Sequence, residues 1–362
     1  MRYATAGAVV LFLAGVLGAA SCSDNVNDGF TRTGGPGGDD ASADGGSNDG
    51  QAQTSEDGAV VSDNGPTQAA RIIVEPSDKG AALVAAIKAA KKSVHVTMYM
   101  LTSNAVIDAL VAQKQAGKDV RVLLNKTFPS PQGNSNYATY GTLKNAGIDV
   151  RYAPATFTYT HEKCVIVDGT EAWIMTMNTT DSSPTDNREY LVVDTDSGDV
   201  AEAEAIFAAD MDAKAIAPTG KLVVAPTNAK DRLLALINGA TKTIDLEGET
   251  FSDDQLAAAI IARATAGVKV RIVLSDETPT AAQSQSVSQF KAAKIPIVSR
   301  SAPTIHAKTI VVDGALAYVG SENFTYNSLV NNRELGVILS ATAEIAKITT
   351  TITTDFTGAT PL

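Results

Sequence analysis

The sequence has few of the residues on which metal centres and disulfide frameworks depend. Two cysteines among 362 residues are too few for a disulfide-stapled scaffold or for a cysteine-built zinc or iron–sulfur site. The three histidines, His95, His161 and His306, argue against a histidine-rich metal centre. We therefore expect no metal ion and no cofactor, and any imidazole chemistry must come from these three residues.

Basic charge is also scarce. The chain has 29 lysines and arginines against 40 aspartates and glutamates, a formal net charge of −11. Much of the acidic excess lies in residues 23–70, and the rest of the chain is close to neutral. This balance argues against a broadly basic nucleic-acid-binding protein, although a local basic patch, and with it a nucleic-acid substrate, stays open.

The one long apolar run, residues 6–17, is too short to remain as a membrane-spanning helix. Together with Arg2 before it and small residues after it, it predicts a signal peptide over residues 1–22. The small residues that lead to Cys22 resemble a bacterial lipoprotein signal, which implies lipidation of Cys22 and an exported, membrane-anchored protein of the cell envelope. The alternative is a secreted protein in which this cysteine is incidental. Residues 23–70 have almost nothing to bury and predict a disordered acidic tether.

From residue 71 onward the sequence repeats one order of elements twice. Each half has an apolar strand-like run, a helix-period stretch, a second strand, a helix closed by glycine (Gly117 and Gly267) and a third strand. Strands that alternate with helices of this length indicate an α/β fold with a mainly parallel sheet flanked by helices. We therefore predict two similar lobes, residues 71–220 and 221–362, with an active site between them. Because one chain supplies both halves of the site, we expect a monomer.

The repeat includes a set of polar residues at identical spacing. In both halves a histidine is followed by lysine, aspartate, asparagine and glutamate at offsets of 2, 7, 17 and 28. The residues are His161, Lys163, Asp168, Asn178 and Glu189 in the first half, and His306, Lys308, Asp313, Asn323 and Glu334 in the second. The glutamate ends an Asn-Arg-Glu tripeptide in both halves.

The spacing also predicts local geometry. Each histidine begins a β-branched run, and residues i and i+2 of a strand share a face, so each histidine and its lysine point the same way. Asp168-Gly169 and Asp313-Gly314 are hairpin-turn signals, and the returning strands bring the asparagines back toward the histidines. Asp168 and Asp313 are supporting residues, either as turn formers or at the site; the sequence does not decide between these.

Such a set is suited to displacement at phosphorus. A neutral imidazole can attack and form a phosphohistidine, while a protonated imidazole delivers a proton to the leaving oxygen. Lysines and asparagines provide donors for the non-bridging phosphate oxygens. Glu189 and Glu334 can each hold the Nδ1–H of a histidine, which leaves Nε2 for the substrate.

These residues resemble the phospholipase D superfamily, which is defined by paired His-x-Lys-(four residues)-Asp motifs that continue into Gly-Ser-x-Asn. The second copy fits completely, with Gly320 and Ser321 before Asn323. The first copy has Met175 and Thr176 in place of Gly-Ser. Thr176 keeps a hydroxyl, so it and Ser321 are expected as supporting residues, and Met175 is expected to crowd the turn or reshape one wall of the pocket.

The resemblance implies a metal-independent phosphodiesterase or phosphatidyltransferase that works through a phosphohistidine. It also implies His161 as the nucleophile and His306 as the general acid, although the symmetry leaves the reverse assignment open. For a membrane-tethered protein we predict phospholipid hydrolysis to phosphatidic acid and a free alcohol. The alternatives are a secreted nuclease, a phosphatidyltransferase of the cardiolipin-synthase kind and an inactive phosphate-binding surface protein. Transfer ranks below hydrolysis because no membrane-spanning helix is visible after residue 22.

Overall fold

The computed structural model describes residues 65–129, 133–275 and 280–362. The predicted signal peptide, the lipidation site Cys22 and residues 23–64 of the predicted tether lie outside these ranges. Within the described ranges, no helix is both long and apolar enough to cross a bilayer.

The first lobe contains seven strands and five helices in chain order among the described residues. These are β1 (Ala70–Glu75), α1 (Ala81–Ala89), β2 (Ser93–Met98), α2 (Asn104–Gln115), β3 (Asp119–Leu124), α3 (Tyr137–Asn145), β4 (Asp149–Tyr152), β5 (Lys163–Val167), β6 (Glu171–Met175), α4 (Ser183–Asp186), β7 (Asn187–Asp194) and α5 (Ser197–Met211).

The second lobe repeats this order and adds two short strands. Its elements are β8 (Val223–Ala225), α6 (Ala229–Asn238), β9 (Thr243–Gly248), α7 (Asp254–Thr265), β10 (Lys269–Ser275), α8 (Ala281–Ala292), β11 (Ile297–Arg300), β12 (Thr304–Ile305), β13 (Lys308–Val312), β14 (Leu316–Gly320), α9 (Tyr326–Val330), β15 (Glu334–Leu339), α10 (Thr342–Thr357) and β16 (Thr360–Pro361). The boundary predicted between residues 220 and 221 falls in the segment that joins α5 to β8.

The two sheets have equivalent strand orders, which confirms the two-lobe α/β fold. The first runs β1-β7-β6-β5-β2-β3-β4, and the second runs β8-β15-β14-β13-β9-β10-β11, with β16 at its edge. Both sheets are mixed rather than mainly parallel. Among the described strands, β2-β3-β4 and β9-β10-β11 pair in parallel, and the short β12 of the second lobe pairs in parallel with β7 of the first. The strands of the polar motif return through tight turns and pair antiparallel.

The turns between the motif strands depend on the predicted Asp-Gly pairs. Asp168 and Asp313 both have φ of +57°, in the left-handed region that aspartate tolerates, and a glycine with positive φ follows each. The helices before β3 and β10 also end as predicted, with left-handed Gly117 and Gly267.

The lobes share a hydrophobic core. One buried cluster contains residues from the facing sides of both sheets and from α5 and α10; among them are Ile166, Val192, Ile206, Val311, Val337 and Ile348. Each lobe also has its own outer core, on the side of its sheet that α1 and α2 or α6 and α7 cover. Burial of apolar surface between the lobes therefore fixes their relative position.

Candidate active site

The two motif histidines lie at equivalent places, each two residues before a lysine that begins a central strand. His161 precedes β5 and His306 precedes β13, and all four side chains are buried. Lys163 Nζ donates a hydrogen bond to the carbonyl oxygen of His161 at 2.6 Å, and Lys308 Nζ does the same to His306 at 2.7 Å. The ammonium groups therefore lie at the histidine end of each strand, as the strand periodicity predicts.

The motif glutamates contact the histidines of the opposite lobe. Glu334 Oε2 of the second lobe lies 2.9 Å from Nδ1 of His161. Glu189 Oε1 of the first lobe lies 2.8 Å from Nδ1 of His306, as an ion-pair contact without hydrogen-bond alignment. The site therefore lies between the lobes, and each lobe completes the other's histidine.

Each glutamate is held in turn by its own lobe. Glu334 accepts hydrogen bonds from Ser328 Oγ at 2.6 Å and from Asn332 Nδ2 at 3.1 Å, and it also contacts the Ser321 hydroxyl. In the first lobe the Thr176 hydroxyl donates to Glu189. The two supporting hydroxyls thus act on the glutamates. Burial raises the pKa of Glu334 to about 7, in spite of the opposing effects of Lys163 and these donors.

The arginines of the Asn-Arg-Glu tripeptides also join the lobes. Arg333 forms two hydrogen bonds of 2.8 and 3.1 Å with Asp210 on α5, and Arg188 pairs with Asp355 on α10 in the same way. The carbonyl oxygen of Arg333 accepts hydrogen bonds from the backbone N–H groups of His161 and Glu162. The N–H of His306 likewise donates to the carbonyl oxygen of Arg188 at 3.3 Å, so the backbone at each histidine is hydrogen-bonded to the other lobe.

The motif asparagines are buried in the loops that follow β6 and β14. The loop of Asn178 pairs with Leu101, after β2, and the loop of Asn323 pairs with Phe251, after β9. Both amides therefore lie at the histidine end of the sheets. The amide oxygen of Asn178 is buried and has no hydrogen-bond partner, so this group is available to a ligand.

Asp168 and Asp313 lie at the opposite end of the motif strands from the lysines. The Asp168 carboxylate accepts hydrogen bonds from the backbone N–H groups of residues 91–93, and Asp313 binds residues 241–243 equivalently. Asp168 is five strand residues from Lys163, which corresponds to about 16 Å, so its carboxylate supports the fold.

Met175 was expected to crowd the turn or to reshape one wall of the pocket. Its side chain is completely buried and packs in the outer core of the first lobe.

One buried carboxylate of the site was missed by sequence analysis. Glu249, directly after β9, has Oε2 at 2.7 Å from Lys308 Nζ and at 3.5 Å from His306 Nε2. The corresponding position after β2 is Tyr99, whose ring lies 5.2 Å from Lys163 Nζ and packs edge-on against His161. Comparison of the two halves at the end of this strand would have revealed the difference, because tyrosine and glutamate stand at equivalent places.

The arrangement presents two imidazoles, two ammonium groups and two amides in one buried site, with a carboxylate at Nδ1 of each imidazole. Imidazoles held in this way can serve as nucleophile and as proton donor, and the cationic groups can stabilise an anionic phosphorus centre. The described residues contain no group of three or more His, Cys, Asp or Glu arranged to hold a metal ion.

Comparison with protein families and curated proteins gives a consistent result. The family model described as "Cardiolipin synthase, PLD-like domain" matches residues 83–211 and 233–357. A cardiolipin synthase from Listeria welshimeri serovar 6b is 24% identical over 346 residues, which cover 81% of this chain and 69% of that protein.

Solved structures show the same fold. The phosphatidylserine synthase of Haemophilus influenzae Rd KW20 superposes with a TM-score of 0.63 at 13% identity, covering 81% of this chain and 87% of that one. A polyphosphate kinase from Porphyromonas gingivalis gives a TM-score of 0.60 at 15% identity, covering 78% of this chain and 46% of that one. At these identities the likeness concerns the fold.

Proposed function

Because the chain belongs to the phospholipase D superfamily, we propose that it is an enzyme that transfers a phosphatidyl group from one phospholipid to a hydroxyl of another. The observation that carries the proposal is the pair of buried histidines between the lobes, each with a carboxylate at Nδ1 and a lysine beside it. The description of the family model and the Listeria relative both support transfer of the cardiolipin-synthase kind. This replaces the preference for hydrolysis, which rested on the predicted location of the chain.

The proposed reaction has two steps. Nε2 of one histidine attacks the phosphorus atom, the bond from phosphorus to the leaving alcohol breaks, and the other histidine gives its Nε2 proton to that alcohol. A second alcohol then enters and loses its proton to the histidine that protonated the first. Its oxygen attacks phosphorus, the bond from phosphorus to Nε2 of the attacking histidine breaks, and that histidine is released. Lys163, Lys308, Asn178 and Asn323 stabilise the non-bridging oxygens in both steps.

Glu189 and Glu334 have a supporting part in this scheme. Glu334 holds the Nδ1–H of His161, and Glu189 lies against Nδ1 of His306, so that Nε2 of each histidine is left for the substrate.

The test is ³¹P NMR of phosphatidylglycerol vesicles incubated with the purified full chain in excess EDTA. We expect two phosphatidylglycerol molecules to give one cardiolipin and one glycerol. His161→Gln and His306→Gln abolish the product. His95→Gln is the matched control, because His95 pairs with Glu204 and stacks on Phe207 outside the site, and this variant keeps the activity.

Other products would identify a different function. Phosphatidic acid and free glycerol, without cardiolipin, would assign the chain to the hydrolases. Unchanged lipid with cleavage of added DNA or RNA would assign it to the nucleases, and binding of phospholipid without turnover would make it a phosphate-binding protein.

A further inference from the structure

The carboxylate of Glu249 has one oxygen that is bound and one that has no partner, and both lie inside the candidate active site. Its side chain is 2% exposed. Oε2 accepts a hydrogen bond from Lys308 Nζ at 2.7 Å and lies 3.5 Å from Nε2 of His306. Oε1 is buried without a hydrogen-bond partner. The site therefore holds an unused acceptor close to the atoms that the proposed reaction needs.

The charge of Glu249 decides what can bind to this oxygen. Burial raises the pKa of the carboxyl, but opposing effects, of which Lys308 is the largest, lower the pKa to about 2. The carboxylate is thus ionised at neutral pH, and both of its oxygens are acceptors only. A buried acceptor without a partner costs free energy. A ligand that satisfies Oε1 must therefore bring its own hydrogen-bond donor.

Few parts of a phospholipid offer such a donor. The phosphodiester group is anionic, so the carboxylate repels it, and the diacylglycerol part has ester oxygens, which are acceptors. Head-group hydroxyls, such as those of glycerol, can donate. An ammonium head group also has donors, but Lys308 already supplies the positive charge beside Glu249 and repels a second cation. A head-group hydroxyl is therefore the donor that fits.

We propose that Glu249 is a specificity-determining residue, whose Oε1 accepts a hydrogen bond from a free hydroxyl of the head-group alcohol. The site thereby selects phospholipids with a polyol head group over those in which the only hydroxyl of the alcohol is esterified to phosphorus. The inference rests on the proposed function, because it takes a phospholipid as the substrate. It is stated without regard to which histidine attacks phosphorus and to whether an alcohol or water completes the reaction.

A pair of lipids that differ only in these hydroxyls tests the proposal on the unmodified chain. Phosphatidylglycerol and phosphatidyl-1-propanol are mixed in equal amounts in the same vesicles, and the initial rates of glycerol and propanol release give the ratio of the two kcat/KM values. We expect glycerol to be released about tenfold faster or more, because propanol leaves the buried carboxylate oxygen unpaired. Equal rates would overturn the inference. Faster release of ethanolamine from added phosphatidylethanolamine would also overturn it, in favour of an ammonium ligand.

Substitution of Glu249 then assigns the preference to this residue. In Glu249→Gln the single amide oxygen is needed by Lys308, so an NH₂ group takes the place of Oε1, and we expect the preference for glycerol to fall below about threefold. Glu249→Asp keeps a carboxylate for Lys308 but is shorter by one methylene group, and we expect it to lower the preference as well. A general loss of folding or of lysine position slows both lipids equally and leaves the ratio unchanged. An unchanged ratio in both variants would contradict the proposal.

Glu247→Gln is the matched control. Glu247 is a buried glutamate two residues earlier on β9, and Tyr190 donates a hydrogen bond to it at 2.6 Å. Burial raises its pKa to about 8, so an uncharged amide is a mild replacement, and we expect the ratio to stay that of the unmodified chain. The two proposals fail in different ways. Release of neither alcohol by the unmodified chain would overturn the proposed function together with the inference, whereas release of both at equal rates would overturn the inference alone.

Discussion

His161 and Glu334 are 173 residues apart in sequence, yet Glu334 Oε2 lies 2.9 Å from Nδ1 of His161 across the boundary between the lobes. The equivalent contact joins His306 to Glu189. The carboxylate at Nδ1 of each histidine comes from the opposite lobe, so the orientation of each imidazole depends on how the lobes pack. The shared hydrophobic core and the two arginine–aspartate pairs maintain that packing.

The carboxylate of Glu334 is expected to control the acid side of the pH profile. Because the pKa of Glu334 is about 7, activity rises as pH increases through this value and the ionised form begins to hold Nδ1–H of His161. Glu334→Gln lowers kcat by about 10²-fold and removes the rise of activity with pH, which is the acid limb of the profile. Ser328→Ala removes a donor to the carboxylate and shifts the limb to higher pH. The prediction fails if the glutamine variant keeps the pH dependence of the unmodified chain.

Glu162 is expected to reduce stability at alkaline pH. Burial raises its pKa from the ordinary 4.5 to about 8, so its contribution to the free energy of unfolding is complete below pH 4.5 and is lost as pH rises to about 8. Glu162→Gln therefore raises the melting temperature at pH 8 and changes it little at pH 5. Thermal unfolding followed by circular dichroism measures both values, and an equal effect at the two pH values would contradict the prediction.

Asp168 is expected to support the fold and not the chemistry. Its carboxylate accepts hydrogen bonds from the backbone N–H groups of residues 91–93. Asp168→Ala removes these bonds and therefore lowers the free energy of unfolding by about 1–3 kcal/mol. Denaturant titration measures this loss, and kcat per folded molecule stays unchanged. Asp313→Ala is the matched variant of the second lobe. A loss of kcat without a loss of stability would instead place these aspartates in the chemistry.

The pair formed by Arg333 and Asp210 is expected to hold the lobes together. Asp210→Asn leaves a buried guanidinium without its counter-charge, and this costs about 3–5 kcal/mol of unfolding free energy. Asp355→Asn tests the equivalent pair with Arg188. A double-mutant cycle with Arg333→Leu measures the coupling between the partners, and a coupling energy near zero would show that the pair does not join the lobes.

We propose that the chain is exported and is held at a membrane through lipid on Cys22, which lies outside the described residues. Mass spectrometry of the mature protein then finds a diacylated cysteine at its amino terminus. Cys22→Ser abolishes the modification and moves the protein from the detergent phase to the aqueous phase in phase partitioning. A mature amino terminus at another residue would contradict the proposal.

The parts of the fold that depend on local sequence were predictable. The Asp168-Gly169 turn, the glycines that end α2 and α7, and the placement of Lys163 beside His161 all follow from patterns a few residues long. The mixed sheets were not predicted, although the hairpins that make them mixed were, because strand order depends on contacts between distant segments.

The same distinction applies to the site. Equal offsets in the two halves identified His161 and Glu189, but offsets do not say which histidine each glutamate meets. That choice depends on the packing of the lobes. Glu249 was missed because it breaks the repeat, and a search for matching residues passes over the position where the halves differ.

The covalent link between the lobes has an evolutionary consequence. If the same site were assembled from two identical chains, one gene would specify both halves, and the residue at position 99 would have to equal the residue at position 249. Fusion of two gene copies removes this constraint, because each copy then mutates independently. Tyr99 packs against one histidine and Glu249 lies beside the other, which is a difference that a site made of two identical chains could not have.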